Sequence, residues 1–264
     1  MLVNAKILSQ YQTRVRCEDF QLELPNEDIS ILPALQKYEM YEPHIQTLFC
    51  EIIKNTWTVL DVGANFGQHT VLLSKLAKEV IAIEASLNNA QFLVANIDIN
   101  KCENVYPICI GAWSEKTILT FNENENGGAA SHLGNLPGAK TYHSLDIAVD
   151  TLDGTLDHYV ELSGINVDFI KMDIEGAELF ALKGATKLLS TFPPILIELN
   201  NHCSKNFFGY ETIEVVRYLQ NLGYNKLRCF SKTLQWIEIS ENELVEYFND
   251  GHLMIDVFFT KENE

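Results

Sequence analysis

Apolar residues follow two rhythms along this chain, and the change comes at Thr56. Upstream, the alternation Thr13-Arg14-Val15-Arg16 predicts a short hairpin within residues 4–24. Beyond Pro33, the residues Tyr41, Ile45, Leu48, Phe49 and Ile52 recur at helical spacing. Glu42-Pro43 supplies the start of that helix, because proline is preorganised for a first turn, and the helix is expected to end near Asn55. Residues 1–55 therefore read as a cap segment packed on a single core domain that spans 56–264.

From Thr56 onward, short apolar runs alternate with amphipathic stretches. Strands are predicted over 58–62, 79–84, 105–109, 167–173 and 194–200, and helices over 67–77, 88–100, after the turn at Ile174-Glu175-Gly176, and over 211–222 up to Gly223. Strands that are apolar nearly throughout are buried on both faces, which argues for a parallel sheet with helices on either side. Residues 118–121 are predicted to pair with 110–113 across Ser114-Glu115-Lys116. The long connection 122–142, with Gly127-Gly128 and Pro137-Gly138, is expected to act as a lid. The tail runs 226–230, 235–239 and 253–260 alternate and are expected as antiparallel strands at the C-terminal edge. The fold class is thus α/β, with a Rossmann-like, mostly parallel sheet.

Composition narrows the function classes. With 47% hydrophobic and 21% charged residues among 264, the chain has an ordinary globular core. Nineteen basic against thirty-six acidic residues give a net charge of −17, which repels phosphate backbones and anionic lipids. Nucleic acid and membrane are therefore not expected partners, whereas a homo-oligomer remains open. The six cysteines form no C-x-x-C pair, so zinc-ribbon and thioredoxin-type sites lack their signature, and the thiols are expected to be reduced. No apolar run reaches 18 residues and no basic leader precedes one, so the expected location is the cytoplasm.

The first chemical motif is Asp61-Val62-Gly63-Ala64-Asn65-Phe66-Gly67. A strand ends in a carboxylate, two glycines allow a ligand close to the backbone, and a helix begins with free N–H groups facing the same crevice. Asn65 stands where the dinucleotide fingerprint needs its middle glycine, which argues against a tightly held pyrophosphate and hence against an NAD-dependent oxidoreductase. Glu84 ends the next strand, 21 residues after Gly63, where an acid can take both hydroxyls of a ribose. The two acids describe a nucleoside whose far end carries an ammonium, the shape of S-adenosylmethionine. Asp61 would help hold the ammonium, and the amides near Phe66 and Gly67 would take the carboxylate. A third motif, Lys171-Met172-Asp173-Ile174-Glu175-Gly176-Ala177-Glu178, brings Asp173 and Glu175 to a strand's carboxyl end. Lys171 is placed to pair with a neighbouring acid, and Glu178 to complement the next helix's dipole.

Taken together, "VLDVGANFGQHT", "VIAIEAS", "VDTLDGTLDH" and "DFIKMDIEGAELFALKGA" followed by "PPILIELN" resemble the FkbM-type methyltransferases over roughly residues 56–200. The resemblance implies a class I S-adenosylmethionine-dependent methyltransferase acting on a hydroxyl of a small molecule, sugar or secondary metabolite. It implies Asp61, Gly63, Asn65 and Gly67 at the methionine end and Glu84 with Ala85 at the ribose. Ile110, Gly111 and Ala112 would lie beside the adenine, with Trp113 near enough to stack. The segment 127–131 would precede a substrate-facing loop, and Asp173 would stand near the transferable methyl.

An alcohol acceptor must lose its proton, and the candidate bases are Asp173, Glu175, Glu198 and His202, with His132 or His143 arriving from the lid. A divalent ion such as Mg²⁺ held by Asp173 with Glu198 or Asn200 is an alternative route. N- or carboxyl-methylation by the same fold, and a non-catalytic nucleoside-binding or assembly role, are the remaining alternatives.

Overall fold

The computed structural model describes residues 12–17, 20–38, 40–124, 132–133, 142–163, 166–231 and 234–262. The apolar runs form the central strands: β3 (Thr58–Val62), β4 (Glu79–Glu84), β5 (Val105–Cys109), β10 (Phe169–Met172) and β11 (Ile195–Asn200). All five are parallel, and the side chains of β3, β4, β10 and β11 are almost all buried because helices cover the sheet, whereas Tyr106, Pro107 and Cys109 of the edge strand β5 are exposed. The tail strands β12 (Lys226–Phe230), β13 (Trp236–Glu238) and β14 (Met254–Thr260) add antiparallel to one edge, as their alternation predicts. The order is β13-β12-β14-β11-β10-β3-β4-β5. From β3 the chain steps outward to β4 and β5, then returns to place β10 on the other side of β3. That reversal opens a crevice above the carboxyl ends of β3 and β10, where open α/β sheets bind ligands.

A second, four-stranded sheet corrects one expectation. Residues 110–113 and 117–121 do not form a hairpin with each other. The order is β6 (Gly111–Ala112), β9 (Tyr142–Asp150), β7 (Thr117–Asn124) and β8 (His132–Leu133), so β9 lies between the two expected partners. Val149 pairs with both Gly111 and Thr117, and it is buried beside Phe121, Leu133 and Ile147. The expected lid is shortened at both ends, because 122–124 continue β7 and 142 begins β9, and it is interrupted at 132–133 by β8. Its glycine pair and the segment 127–131 lie outside the described residues.

Ahead of the sheet stand the hairpin β1 (Gln12–Arg16) and β2 (Gln21–Pro25) and the helices α1 (Ile31–Tyr38) and α2 (Pro43–Ile52). Leu22, Leu24, Ile31 and Phe49 share one apolar cluster with Val59, Val71 and Phe169 of the core. The core helices α3 (Gln68–Leu76), α4 (Leu87–Ile99), α5 (Leu152–Ser163), α6 (Glu178–Lys183), α7 (Thr186–Leu189), α8 (Asn201–Phe208), α9 (Ile213–Leu222) and α10 (Glu241–Asn249) complete the layers. Among the described residues no helix is long and apolar enough to cross a membrane.

Asn96 of α4 joins three parts of the molecule. It is fully buried, its Oδ1 accepts the Glu23 N–H at 2.6 Å, and its Nδ2 donates to the carbonyls of Glu23 at 2.9 Å and Phe66 at 2.7 Å. One amide therefore fixes β2 and the glycine loop to the same helix. Asn96→Ala is expected to cost about 2–4 kcal/mol, since it leaves buried backbone groups unpaired. Urea unfolding checks this, and a loss below about 0.5 kcal/mol, the size of an ordinary surface change, would contradict the clamp.

Candidate active site

The crevice is a cavity whose wall comes from every element around the reversal point. Val62, Gly63 and Asn65 follow β3, Ile83, Glu84 and Ala85 follow β4, Ile110, Gly111 and Ala112 follow β5, and Asp173, Ile174 and Glu175 follow β10. Gly63 has φ +82, and a Cβ there would stand 1.8 Å from the Asp173 carbonyl oxygen. Only glycine lets the ends of β3 and β10 approach this closely. Asn65 is also left-handed, at φ 53, and its backbone N–H donates to Glu84 Oε2 at 2.8 Å.

Glu84 is oriented by the backbone: Oε2 accepts from Asn65, and Oε1 accepts the Ser86 N–H at 2.8 Å. Burial pushes its carboxyl up to about 7, against the pull of those two N–H groups. Glu84 is also one of the residues that line the cavity. The adenine end expected at Ile110, Gly111 and Ala112 is part of the same wall, as is Ala85 next to Glu84, with Asn89 of α4 as a polar neighbour that the sequence reading did not single out. Trp113 is not there. Its ring stacks on Phe180 at 4.1 Å, in an apolar cluster behind β6.

Asp61 is a second correction. It is fully buried below the floor, where its Oδ2 accepts from the Thr70 hydroxyl at 2.6 Å and its Oδ1 lies 3.8 Å from Lys171 Nζ. It does not reach the cavity wall, and neither Phe66, whose ring packs on Phe92 at 5.5 Å, nor Gly67 faces it. Lys171 is the buried cation expected from the sequence. Its Nζ stands 3.3 Å from Asp173 Oδ2 and 3.4 Å from the Gly63 carbonyl. Burial opposes its charge, but Asp173 and Asp61 outweigh burial and raise its pKa.

The opposite end holds Asp173, Glu175 and Glu198, with one oxygen of each within 4.8 Å of the others. Glu175 has φ 52, and its Oε2 accepts from Asn200 Nδ2 at 2.9 Å and from the Cys203 thiol at 3.3 Å. Burial first, then the Asp173 charge, pushes its carboxyl up to about 7. Glu198 is raised further, by burial, by Asp173 and Glu175, and by Asp256, its cross-strand neighbour on β14. Three hard oxygen donors at this spacing suit a divalent cation. Asn200 is not one of them, because its Oδ1 caps α8 through the Cys203 N–H at 3.1 Å. His202 is also removed from the site: it is exposed on α8 with Nδ1 3.0 Å from Asn206 Nδ2. His143 is exposed on β9, and the His132 side chain lies outside the described residues. Glu178 serves the turn, with its Oε1 accepting the N–H groups of Ile174 at 3.2 Å and Gly176 at 3.1 Å.

The sequence reading also missed Tyr41, Glu42, Gln68 and Met254 on the wall. Tyr41 and Glu42 come from the cap segment, and Met254 from the last strand.

A crevice at the reversal of a parallel sheet, with an oriented acid at the end of β4 and a glycine turn after β3, fits a class I S-adenosylmethionine-dependent methyltransferase. The chain belongs to the methyltransferase FkbM domain family, which it matches over residues 61–226. Among curated proteins it is similar to the hexuronic acid methyltransferase AglP of Haloferax volcanii, at 26% identity over 160 residues. That alignment covers 60% of this chain and 62% of the relative, so the chain spans less than two thirds of that protein. Among solved structures it is similar to the methyltransferase FkbM of Methylobacillus flagellatus, with TM-score 0.48 and 18% identity, covering 78% of this chain and 44% of that one. A second likeness is Trm5b of Pyrococcus abyssi, with TM-score 0.48 and 16% identity over 95% of this chain and 56% of that one.

Raised carboxyls make stability pH-dependent. Burial lifts Glu84 and Glu175 to about 7, and Glu42 and Glu178 to about 8. The native state then binds more protons than the unfolded chain between about pH 4.5 and 8. This contribution is fully present below the ordinary carboxyl range and is lost as pH rises through 7 and 8. Calorimetry should show Tm falling by about 5 °C or more from pH 5 to 8.5, and a Tm that rises over this range would contradict the assignment.

Proposed function

We propose that this protein transfers the methyl group of S-adenosylmethionine to a hydroxyl of a neutral small molecule or sugar. The observation that carries the proposal is the convergence of Asp173, Glu175 and Glu198 at the end of the cavity away from the ribose acid. The cofactor is itself the electrophile, so the protein has to align the acceptor and receive its proton. In the step, the acceptor oxygen forms its bond to the methyl carbon while the carbon–sulfur bond breaks, and the sulfonium charge disappears. The hydroxyl proton passes to Glu175, whose carboxyl near 7 is matched to that task. Asp173, anchored by Lys171, orients the hydroxyl. The same three carboxyls suit Mg²⁺, which would supply acidity to a bound hydroxyl.

Charge favours a neutral acceptor over an anionic one. No lysine or arginine is among the described residues that line the cavity, whereas Glu42, Glu84, Asp173, Glu175 and Glu198 all are. A carboxylate acceptor would meet no lysine or arginine among the described lining residues and would need no base, which counts against carboxyl-methylation. The relative in Haloferax volcanii supports a saccharide acceptor, and the acidic wall favours the hydroxyl of a neutral one.

The test is release of S-adenosylhomocysteine with a panel of neutral sugars, amino sugars, uronic acids and simple alcohols, with and without a chelator. Glu175→Gln should lower kcat by about 10²–10⁴ with cofactor affinity nearly intact. In the wild type, kcat/KM should rise with pH through about 7, because the base must be deprotonated. Wild-type turnover by Glu175→Gln, or methylation confined to uronic acids, would overturn the proposal.

A further inference from the structure

The methionine end of the cavity has acceptors without a donor. Asn65 Oδ1 and Gln68 Oε1 are both buried with no hydrogen-bond partner, and both residues line the wall beside Gly63. Gln68 is only 6% exposed. The carboxyl of Glu42 lines the same cavity: its Oε2 lies 3.4 Å from Nε2 of His69 in the first turn of α3, and the charges of Asp173, Asp256, Lys171 and Glu175 act on it. Burial, with Lys171 and His44, keeps His69 neutral, so it gives the Glu42 carboxyl no counter-charge; burial lifts that carboxyl to about 8, and an ammonium beside it would favour its ionised form. Asp61, the acid that the sequence offers for an ammonium, is held under the floor by Thr70 and Lys171.

We infer that Glu42, with Asn65 and Gln68, receives the ammonium of the cofactor's methionine end. An α-amino acid carries its ammonium and carboxylate on one carbon. The free N–H groups at the start of α3 attract the carboxylate, which brings the ammonium against the residues around that helix start. A primary ammonium has three N–H donors; two oxygens of the wall, Asn65 Oδ1 and Gln68 Oε1, lack a donor, and the Glu42 carboxyl offers a third acceptor. Glu42 also holds a left-handed backbone, φ 49 and ψ 62, directly before Pro43. A glutamate before proline disfavours that conformation, and such strain persists where the surroundings over-determine it. Glu42 lies outside the matched domain, which begins at residue 61, so the cap segment completes the cofactor site. The inference rests on cofactor binding and is independent of the acceptor.

The test is calorimetric titration of S-adenosylhomocysteine, of its analogue without the amino group, and of adenosine, into the wild type, Glu42→Gln and Glu42→Gly. Glycine accepts the left-handed backbone, so the second variant removes the carboxyl without strain. The wild type should prefer S-adenosylhomocysteine over the deaminated analogue by about tenfold to a hundredfold, the range for a charge-assisted hydrogen bond. Both variants should lose that preference while binding adenosine as the wild type does. A preference retained in the variants would overturn the inference. An equal loss of adenosine binding would also overturn it, by making Glu42 a structural residue.

Discussion

One buried ammonium, that of Lys171, holds the carboxyl edge of the sheet together. It stands on β10 at the position that pairs with Asp61 of β3, and it reaches Asp61, Asp173 and the Gly63 carbonyl. A lysine only 3% exposed is tolerated because two carboxylates and a carbonyl surround it. The arrangement separates two acids that look equivalent in sequence. Asp61 is spent on burying the lysine, while Asp173, on the other side of the same ammonium, faces the cavity. Gly63 lies between them because no side chain fits there.

Around that centre the cavity gathers carboxyl groups that burial makes reluctant to ionise. Burial raises the proton affinity of Glu84, Glu175, Glu198 and Glu42, and each nearby carboxylate raises it further. A cationic cofactor relieves the repulsion at one end, and a neutral acceptor that yields a proton suits the other. The cap segment joins this chemistry through Tyr41 and Glu42, and joins the fold through Leu22, Leu24 and Phe49.

The strands were legible because their apolar runs are short and bounded by glycine, asparagine or proline. The β6–β7 hairpin was misread because its true partner, β9, arrives from 30 residues downstream, and local alternation carries no such information. The helix α1 is not marked in the sequence, because eight residues are too few to set a period and they include Pro33, which is nevertheless tolerated in a first turn. The helix α8 was missed because its stretch NHCSKNFF is mostly polar and buries only Cys203 and Ser204. In the site, the acids adjoining glycine turns were readable, but their orientation was not. Asp61 and Glu84 stand at the carboxyl ends of neighbouring strands, yet Asp61 is buried away from the cavity and Glu84 lines it. Glu42 had no motif around it, and only the packing of α2 on α3 brings it to the wall.

The central claim is that Lys171 ties the fold to the site through Asp61. A double-mutant cycle in unfolding free energy, with Lys171→Met, Asp61→Asn and the pair, tests it most directly. Each single variant should lose about 3–5 kcal/mol, because it strands a buried charge, and the double variant should lose no more than either single one. Small and additive losses would contradict the account, since they would mean that the two charges do not depend on each other.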